Sequence, residues 1–218
     1  MVLQGSLLTL ADGPGPRPLR VSDAGTDVDP GPGAMRTVLP GGAWVDLHRA
    51  WMAGADPLFE RLLLDVPWRT ERRRMYDRVV DVPRMMAFYA EGADLPDPAL
   101  AAARRELDRS YGASAGEPFC TVGMALYRSG DDSVAWHGDT IGRGSTEDTT
   151  VAILSLGFPR TLLLRPRGKG SALRFDLAGG DLLVMGGSCQ RTWEHSVPKT
   201  RKPVGPRISV QFRPRGVR

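Results

Sequence analysis

From Phe119 onward the chain breaks into short apolar runs separated by turns: Phe119 to Arg128, Ser133 to His137, Thr150 to Leu156, Thr161 to Pro166, Ser171 to Asp176, Asp181 to Met185, Glu194 to Pro198 and Ile208 to Arg213. Such runs, bounded by Gly, Pro, Asp and Ser, read as strands, and a succession of them at this spacing fits a double-sheet jelly roll. The first half is of a different kind. Asp56-Pro57-Leu58-Phe59 opens a helix, with Asp56 as N-cap, Pro57 in the first turn and Leu58, Phe59, Leu62 and Leu63 as its apolar stripe. Asp97-Pro98 opens another, with Leu100, Ala103, Leu107 and Tyr111 on one side. The expected fold class is α+β: a jelly-roll core (double-stranded β-helix) over about 117–215, with the N-terminal helices buttressing one sheet.

Other segments of the first half carry weaker signals. Residues 11–35 are crowded with Gly, Pro and Asp, so residues 1–36 are expected to form a loose arm, because such a segment buries too little apolar surface to offset its ordering entropy. A strand is expected near Thr37-Val38-Leu39. Trp44, Leu47, Trp51 and Met52, spaced by three to four residues, predict a helix or helical turn with His48 on its polar side. Between Val79 and Tyr89 two short strands are expected around Asp81-Val82-Pro83, at a sheet edge or in a hairpin over the site, because Pro83 lacks a ladder donor. Residues 37–218 are expected to form a single domain, long enough to bury about 70% of the unfolded surface.

Chemistry concentrates in three places. In Trp136-His137-Gly138-Asp139 the histidine and carboxylate are two residues apart, so on an extended segment both project to one face. With His195 from a distant strand they make two nitrogens and one oxygen, the facial arrangement of non-haem iron(II) oxygenases. Taken alone, His-x-Asp also describes a core histidine bonded to a nearby aspartate. The third place is Arg207-Ile208-Ser209-Val210-Gln211-Phe212-Arg213, where two arginines share a strand face with Ser209 and Gln211. Two guanidinium forks on an inner face call for an anion, and a dicarboxylate supplies one at each end.

These motifs together resemble the AlkB-type iron(II)/2-oxoglutarate-dependent dioxygenases. That family's pattern is His-x-Asp, a distant His, then Arg followed after five residues by a second Arg, matched here by His137-x-Asp139, His195, Arg207 and Arg213. Leu126-Tyr127-Arg128, Asp132-Ser133-Val134, Leu154-Ser155-Leu156-Gly157 and Gly180-Asp181-Leu182-Leu183-Val184-Met185 agree in order, and Val82-Pro83-Arg84 with Ala87 and Tyr89 is similar to the segment leading into a substrate lid, expected here at about 69–92. The resemblance covers roughly residues 56 to 215. It implies iron(II) on His137, Asp139 and His195, with 2-oxoglutarate as cosubstrate and O2 as oxidant. It also implies Arg207 and Tyr127 on the far carboxylate and Arg213 near the iron, with Ser209 between the two arginines. The implied activity is oxidative demethylation of alkylated DNA or RNA bases, as in DNA alkylation repair, with succinate, CO2 and formaldehyde as products.

On the substrate side the residues leave alternatives open. Phe88 or Tyr89 either stacks on a flipped base while Arg84 contacts its phosphate or edge, or belongs to the core. Trp193 either walls the substrate pocket or packs in the core. Arg69, Arg72, Arg73 and Arg74 are a solvated surface or a phosphate-contacting rim. Three positions depart from the family pattern: Ala125 and Ser209 stand where relatives carry Asn, and Ile141 where repair enzymes place an acid, for which Asp148 or Glu147 are the nearby substitutes. Ile141 therefore motivates a second reading, a hydroxylase or demethylase of a small metabolite or protein side chain. A third treats the chain as a nucleic-acid-binding jelly roll with a vestigial site.

The net charge of +4 and pI near 9.4 suit an anionic partner such as single-stranded nucleic acid or a duplex with a flipped base. No apolar window reaches the length of a membrane span, and Cys120 and Cys189 are expected to be free thiols in a reducing compartment. A cytoplasmic monomer is the expectation.

Overall fold

Alternation of inward and outward side chains turns the second half into two facing sheets. The computed structural model describes residues 33–75, 78–168 and 170–217. In chain order its elements are β1 (Ala34–Val38), β2 (Ala43–His48), α1 (Ala55–Asp65), β3 (Arg69–Met75), β4 (Arg78–Tyr89), α2 (Pro98–Ala115), β5 (Phe119–Tyr127), β6 (Val134–His137), β7 (Val151–Gly157), β8 (Arg160–Pro166), β9 (Leu173–Leu177), β10 (Leu182–Gly187), α3 (Cys189–Thr192), β11 (Trp193–Val197) and β12 (Arg207–Pro214). The large sheet has the order β1-β2-β10-β7-β12-β5-β4-β3 and the small sheet β6-β11-β8-β9, with antiparallel pairing throughout. The expected runs after Phe119 are β5 to β12. They form the jelly roll, four strands in each sheet, and β1 to β4 extend the large sheet at both ends.

The middle strands of the large sheet are buried on both faces. Its outer face carries Met124, Leu154, Val184 and Phe212 against Leu58 and Leu62 of α1 and Leu100, Leu107 and Tyr111 of α2. Its inner face carries Val45, Leu47, Val151 and Met185 against Leu164 and Leu177 of the small sheet. Strand β7 is accordingly buried at six consecutive residues. The start of α2 follows its sequence signal, with Asp97 accepting a hydrogen bond from the Ala99 amide at 2.8 Å and Pro98 at the first helical position. Helix α1 begins two residues earlier than expected: Gly54, at φ 72°, is its N-cap, and Asp56 lies in the first turn, where its charge still favours the positive end of the helix dipole.

The segment around Trp44 is a strand and not the expected helical turn. Ala43, Val45 and Leu47 point between the sheets, whereas Trp44, Asp46 and His48 point toward α2. Both faces are buried, so the polar alternation that identifies a strand is missing. His48 is correspondingly buried, and not on a polar surface. Its Nε2 lies 2.7 Å from the Tyr111 hydroxyl, which donates to Asp46 Oδ2 at 3.0 Å; Asp46 in turn accepts two hydrogen bonds from Arg36, at 2.7 Å each. Since the phenol proton goes to Asp46, His48 must donate from Nε2. Arg36 covers the Trp44 ring at 4.4 Å, and Trp44 stacks on Tyr111 at 6.0 Å. This chain of polar groups ties β1, β2 and α2 together.

Strand β4 is continuous through Pro83, where two short strands were expected. Its pairing with β3 skips from Met85 to Asp81, and its pairing with β5 begins only at Met85, so Pro83 falls where no ladder donor is required. Strand β3, not β4, forms the sheet edge. The side chains of Arg72, Arg73 and Arg74, and the arm over residues 1–32, lie outside what the structure describes; β1 already begins at Ala34. No helix among the described residues is long and apolar enough to cross a membrane, and both cysteines are unpaired.

Tyr111→Phe removes the hydroxyl that joins His48 to Asp46 and leaves two buried polar groups short of a partner. A loss of about 2 kcal/mol in denaturant unfolding is expected, without change in metal binding.

Candidate metal centre

Strand pairing brings the two histidines together. In the small sheet β6 lies beside β11 with His137 directly opposite His195, and the two rings are 4.3 Å apart at 46°. Asp139 follows two residues after His137, beyond the end of β6. One ligating atom from each of His137, Asp139 and His195 lies within 4.8 Å of the others, the spacing of donors around a single ion. His137 Nδ1 is 2.9 Å from the Ala135 carbonyl, so Nδ1 carries the proton and Nε2 is left as the ligating atom.

The surroundings keep all three groups in their metal-binding protonation states. Burial pulls the His195 imidazole down to about 3, with His137 and Arg213 adding to the effect against Asp139. Burial likewise lowers His137, opposed by Asp139. For Asp139 burial works the other way, yet Arg213, with His195 and His137, more than offsets it and holds the carboxyl at about 2. The decisive contact is the 2.8 Å hydrogen bond from Arg213 Nε to Asp139 Oδ2, which ties β12 of the large sheet to the segment after β6. Gly123, opposite Gln211 on β5, leaves room for it: a Cβ there would stand 2.6 Å from Arg213 Nη1.

Between the sheets at this end lies a cavity, partly open to solvent, lined by Arg84, Met86, Ala125, Tyr127, Val134, His137, Ile153, Leu162, His195, Val197, Ser209, Gln211 and Arg213. Strand β12 supplies its floor, because Ser209, Gln211 and Arg213 share the inward face by period two. Deeper on that face Arg207 is wholly buried; burial brings its guanidinium down to about 10, so it is charged at neutral pH. Its Nε donates to Ser155 Oγ at 3.0 Å, its guanidinium carbon lies 5.3 Å from the Tyr127 ring centroid, and Nη1 has no hydrogen-bond partner. Among the described residues no carboxylate pairs with it. Arg160 also lies by Tyr127, 5.5 Å from the ring centroid, with its guanidinium held by the Ser129, Asp132 and Pro198 carbonyls.

Residues 89–213 match the family model of the 2OG-Fe(II) oxygenase superfamily. The chain belongs to this superfamily. Its relatives include human alpha-ketoglutarate-dependent dioxygenase alkB homolog 3, 32% identical over 178 residues, and human DNA oxidative demethylase ALKBH2, 29% identical over 181 residues. These alignments cover 73% and 74% of this chain but 61% and 64% of the relatives, so the chain spans about three fifths of their length. The fold is also that of OsALKBH1, with a TM-score of 0.58 and 16% identity over 82% of this chain and 100% of that one. A Burkholderia pseudomallei oxidoreductase of the 2OG-Fe(II) oxygenase family gives a TM-score of 0.55 at 13% identity, covering 78% of this chain and 84% of that one. The AlkB-type resemblance and the jelly-roll core are thereby borne out.

The superfamily implies iron(II) and 2-oxoglutarate, and two observations show that the residues present fit them. Two neutral imidazoles and an ionised carboxylate are the donor chemistry of such an iron site. Arg207 is a buried cation with an unpaired N–H and no acid beside it, which a carboxylate would complete.

The substrate-side residues are placed unevenly. Arg84 lines the cavity, and Phe88 shares its β4 face while remaining 48% exposed. Tyr89 points to the opposite face and packs against the core under the helices, so of the two aromatic alternatives only Phe88 shares a strand face with Arg84 and Met86, beyond the residues that line the cavity. Trp193 is also core: it is buried among Leu39, Val45 and Cys189, with Nε1 donating to the Pro40 carbonyl at 3.4 Å. It is not among the residues that line the cavity, whereas His195 is. Ile141 is 68% exposed. Neither acid of the next loop reaches back, because Glu147 accepts from Arg143 Nε at 2.8 Å and Asp148 is held by Arg191.

Two residues at the centre went unassigned in the sequence. Gln211 lines the cavity and donates from Nε2 to Ser209 Oγ at 2.6 Å; its period-two position between Ser209 and Arg213 is a usable signal. Gln190, which meets Asp139, has none.

For His195 the folded value lies below the unfolded value near 6.5, so on acidification the unfolded chain takes up its proton first. The metal-free protein is expected to lose stability as pH falls from about 6.5 toward 3, by up to about 1.4 kcal/mol per pH unit from this group. Urea unfolding at several pH values checks this, and His195→Asn should flatten the dependence.

Proposed function

We propose that this chain is an iron(II)/2-oxoglutarate-dependent dioxygenase that removes N-methyl groups from bases of DNA or RNA. The observation that carries the reading is the convergence of His137, Asp139 and His195 at one end of a cavity whose inner wall holds a buried, acid-free Arg207. Iron(II) held there with 2-oxoglutarate would supply the oxidation of an N-methyl group by O2, releasing succinate, carbon dioxide and formaldehyde. His137, through Nε2, and His195 and Asp139 would be the ligands. Arg213 keeps the Asp139 carboxylate ionised and aimed.

Arg207 would take the far carboxylate of 2-oxoglutarate in a dry setting where a charge-assisted hydrogen bond is strong, with the Tyr127 hydroxyl beside it. The Ser209–Gln211 pair would offer polar contacts in place of the amide that Ala125 lacks, since Ala125 lies directly across from Ser209. Ile153, Leu162 and Val197 line the cavity with apolar surface that excludes water from the reacting atoms. Arg84 and Phe88 would meet the incoming base. Nucleic acid as substrate is supported by the name of one relative, DNA oxidative demethylase ALKBH2, and by the positive net charge.

One observation favours a second reading, action on a small metabolite or protein side chain. Ile141 stands exposed where repair enzymes place an acid, and Glu147 and Asp148 are engaged elsewhere, so the acidic contact for a methylated base is not supplied by this loop.

The test is succinate and formaldehyde release against methylated single-stranded DNA and RNA, with free nucleosides and small amines in parallel. The expected result is turnover on a methylated oligonucleotide, abolished in His137→Ala. In Arg207→Met the apparent KM for 2-oxoglutarate should rise at least about tenfold, the scale of a lost charge-assisted hydrogen bond. Turnover confined to the small compounds would select the second reading.

A further inference from the structure

We infer that Gln190 is a positioning residue that sets the reach of the metal-ligating carboxylate through the backbone of Asp139. This rests on the metal-site reading above and extends it to a residue outside the ligand set. The three ligating residues are not held alike. His195 sits inside a strand paired on both sides, and His137 is the last residue of β6, paired with His195. Asp139 lies past the end of that ladder, where no strand partner fixes its backbone.

Its N–H instead donates to Gln190 Oε1 at 3.0 Å, and Gln190 is buried. A backbone N–H accepts nothing, so the oxygen of this amide must face it. Gln190 Nε2 is buried and has no hydrogen-bond partner among the described residues, so the bond to Asp139 is the side chain's polar contact. The rest of the turn is packed to the same end. A Cβ on Gly138 would lie 2.6 Å from both the Gln190 carbonyl and Arg167 Nη2, and Arg167 Nη2 donates to that carbonyl at 3.1 Å. On the far side, a Cβ on Gly144 would lie 1.9 Å from the Asp139 carbonyl. The Gly138-Asp139 backbone is thus gripped between α3 and the 142–145 turn, and Gln190 supplies the directional bond in that grip.

The test is Mn(II) binding by the full chain, followed through the spectrum of the free ion, with Asp139→Ala as control. Gln190→Leu keeps the volume and removes the acceptor; it should weaken Mn(II) binding by about ten- to a hundredfold, the range for partners that orient metal ligands. Gln190→Asn, too short to reach, should weaken it similarly and serves if the leucine variant does not fold. Gln190→Glu retains the acceptor and should bind Mn(II) within about threefold of the unaltered chain. A merely structural role would lower the unfolding midpoint of the metal-free protein and leave Mn(II) affinity alone. Wild-type affinity in the Leu or Asn variant, or equal loss in the Glu variant, overturns the inference while leaving the metal centre intact. Failure of the unaltered chain to bind Mn(II) overturns the metal centre itself, and this inference with it.

Discussion

The contact on which the rest of the centre depends is the ion pair between Arg213 and Asp139. A buried carboxylate is expensive unless it is paired and hydrogen-bonded, and here the partner comes from the other sheet. That single bond joins the floor strand β12 to the segment after β6. It keeps Asp139 ionised next to two imidazoles that burial has made neutral. The cluster therefore presents one ionised carboxylate, balanced by its arginine, beside two neutral nitrogen donors.

The position of Arg213 follows from register. Strand β12 lies between β5 and β7, which fixes Arg207 opposite Tyr127 and Gly157, and Ser209 opposite Ala125 and Ser155. A one-residue slip would send all four polar side chains of its inner face into the core beneath the helices. The outer face of the same strand, Ile208, Val210 and Phe212, is wholly buried there, so slippage is opposed from both sides. Helices α1 and α2 therefore contribute to the site without lining its cavity. They bury the outer face of the sheet and thereby hold the polar face toward the cavity.

The interior between the sheets is divided accordingly. One part is a dry core built on Val45, Leu47, Met185 and Trp193; the other is the cavity with its arginines and histidines. Ile153 and Leu162 belong to both and form the boundary. This division explains why Trp193 and His195, two apart on β11 and facing the same way, have different surroundings.

Much of this was legible in the chain. Short apolar runs between turns specify strands, and the candidate site residues are recoverable because His137 and Asp139 stand two apart in a local motif, although Asp139 follows the end of β6, and period two puts Arg207 with Arg213 on a common face. Asp97-Pro98 marks its helix because capping is a local hydrogen bond. Tertiary structure decided the remainder. Strand β2 imitates a helical pattern because both of its faces are buried, and only its neighbours reveal which period applies. Tyr89 and Trp193 became core while Phe88 stayed half-exposed on the strand face it shares with Arg84, since the burial of an aromatic depends on what packs against it. Gln190 meets Asp139 across fifty-one positions of sequence. Local physics, carried in side-chain alternation and capping, is written residue by residue; which distant group completes a buried hydrogen bond is set only when the sheets close.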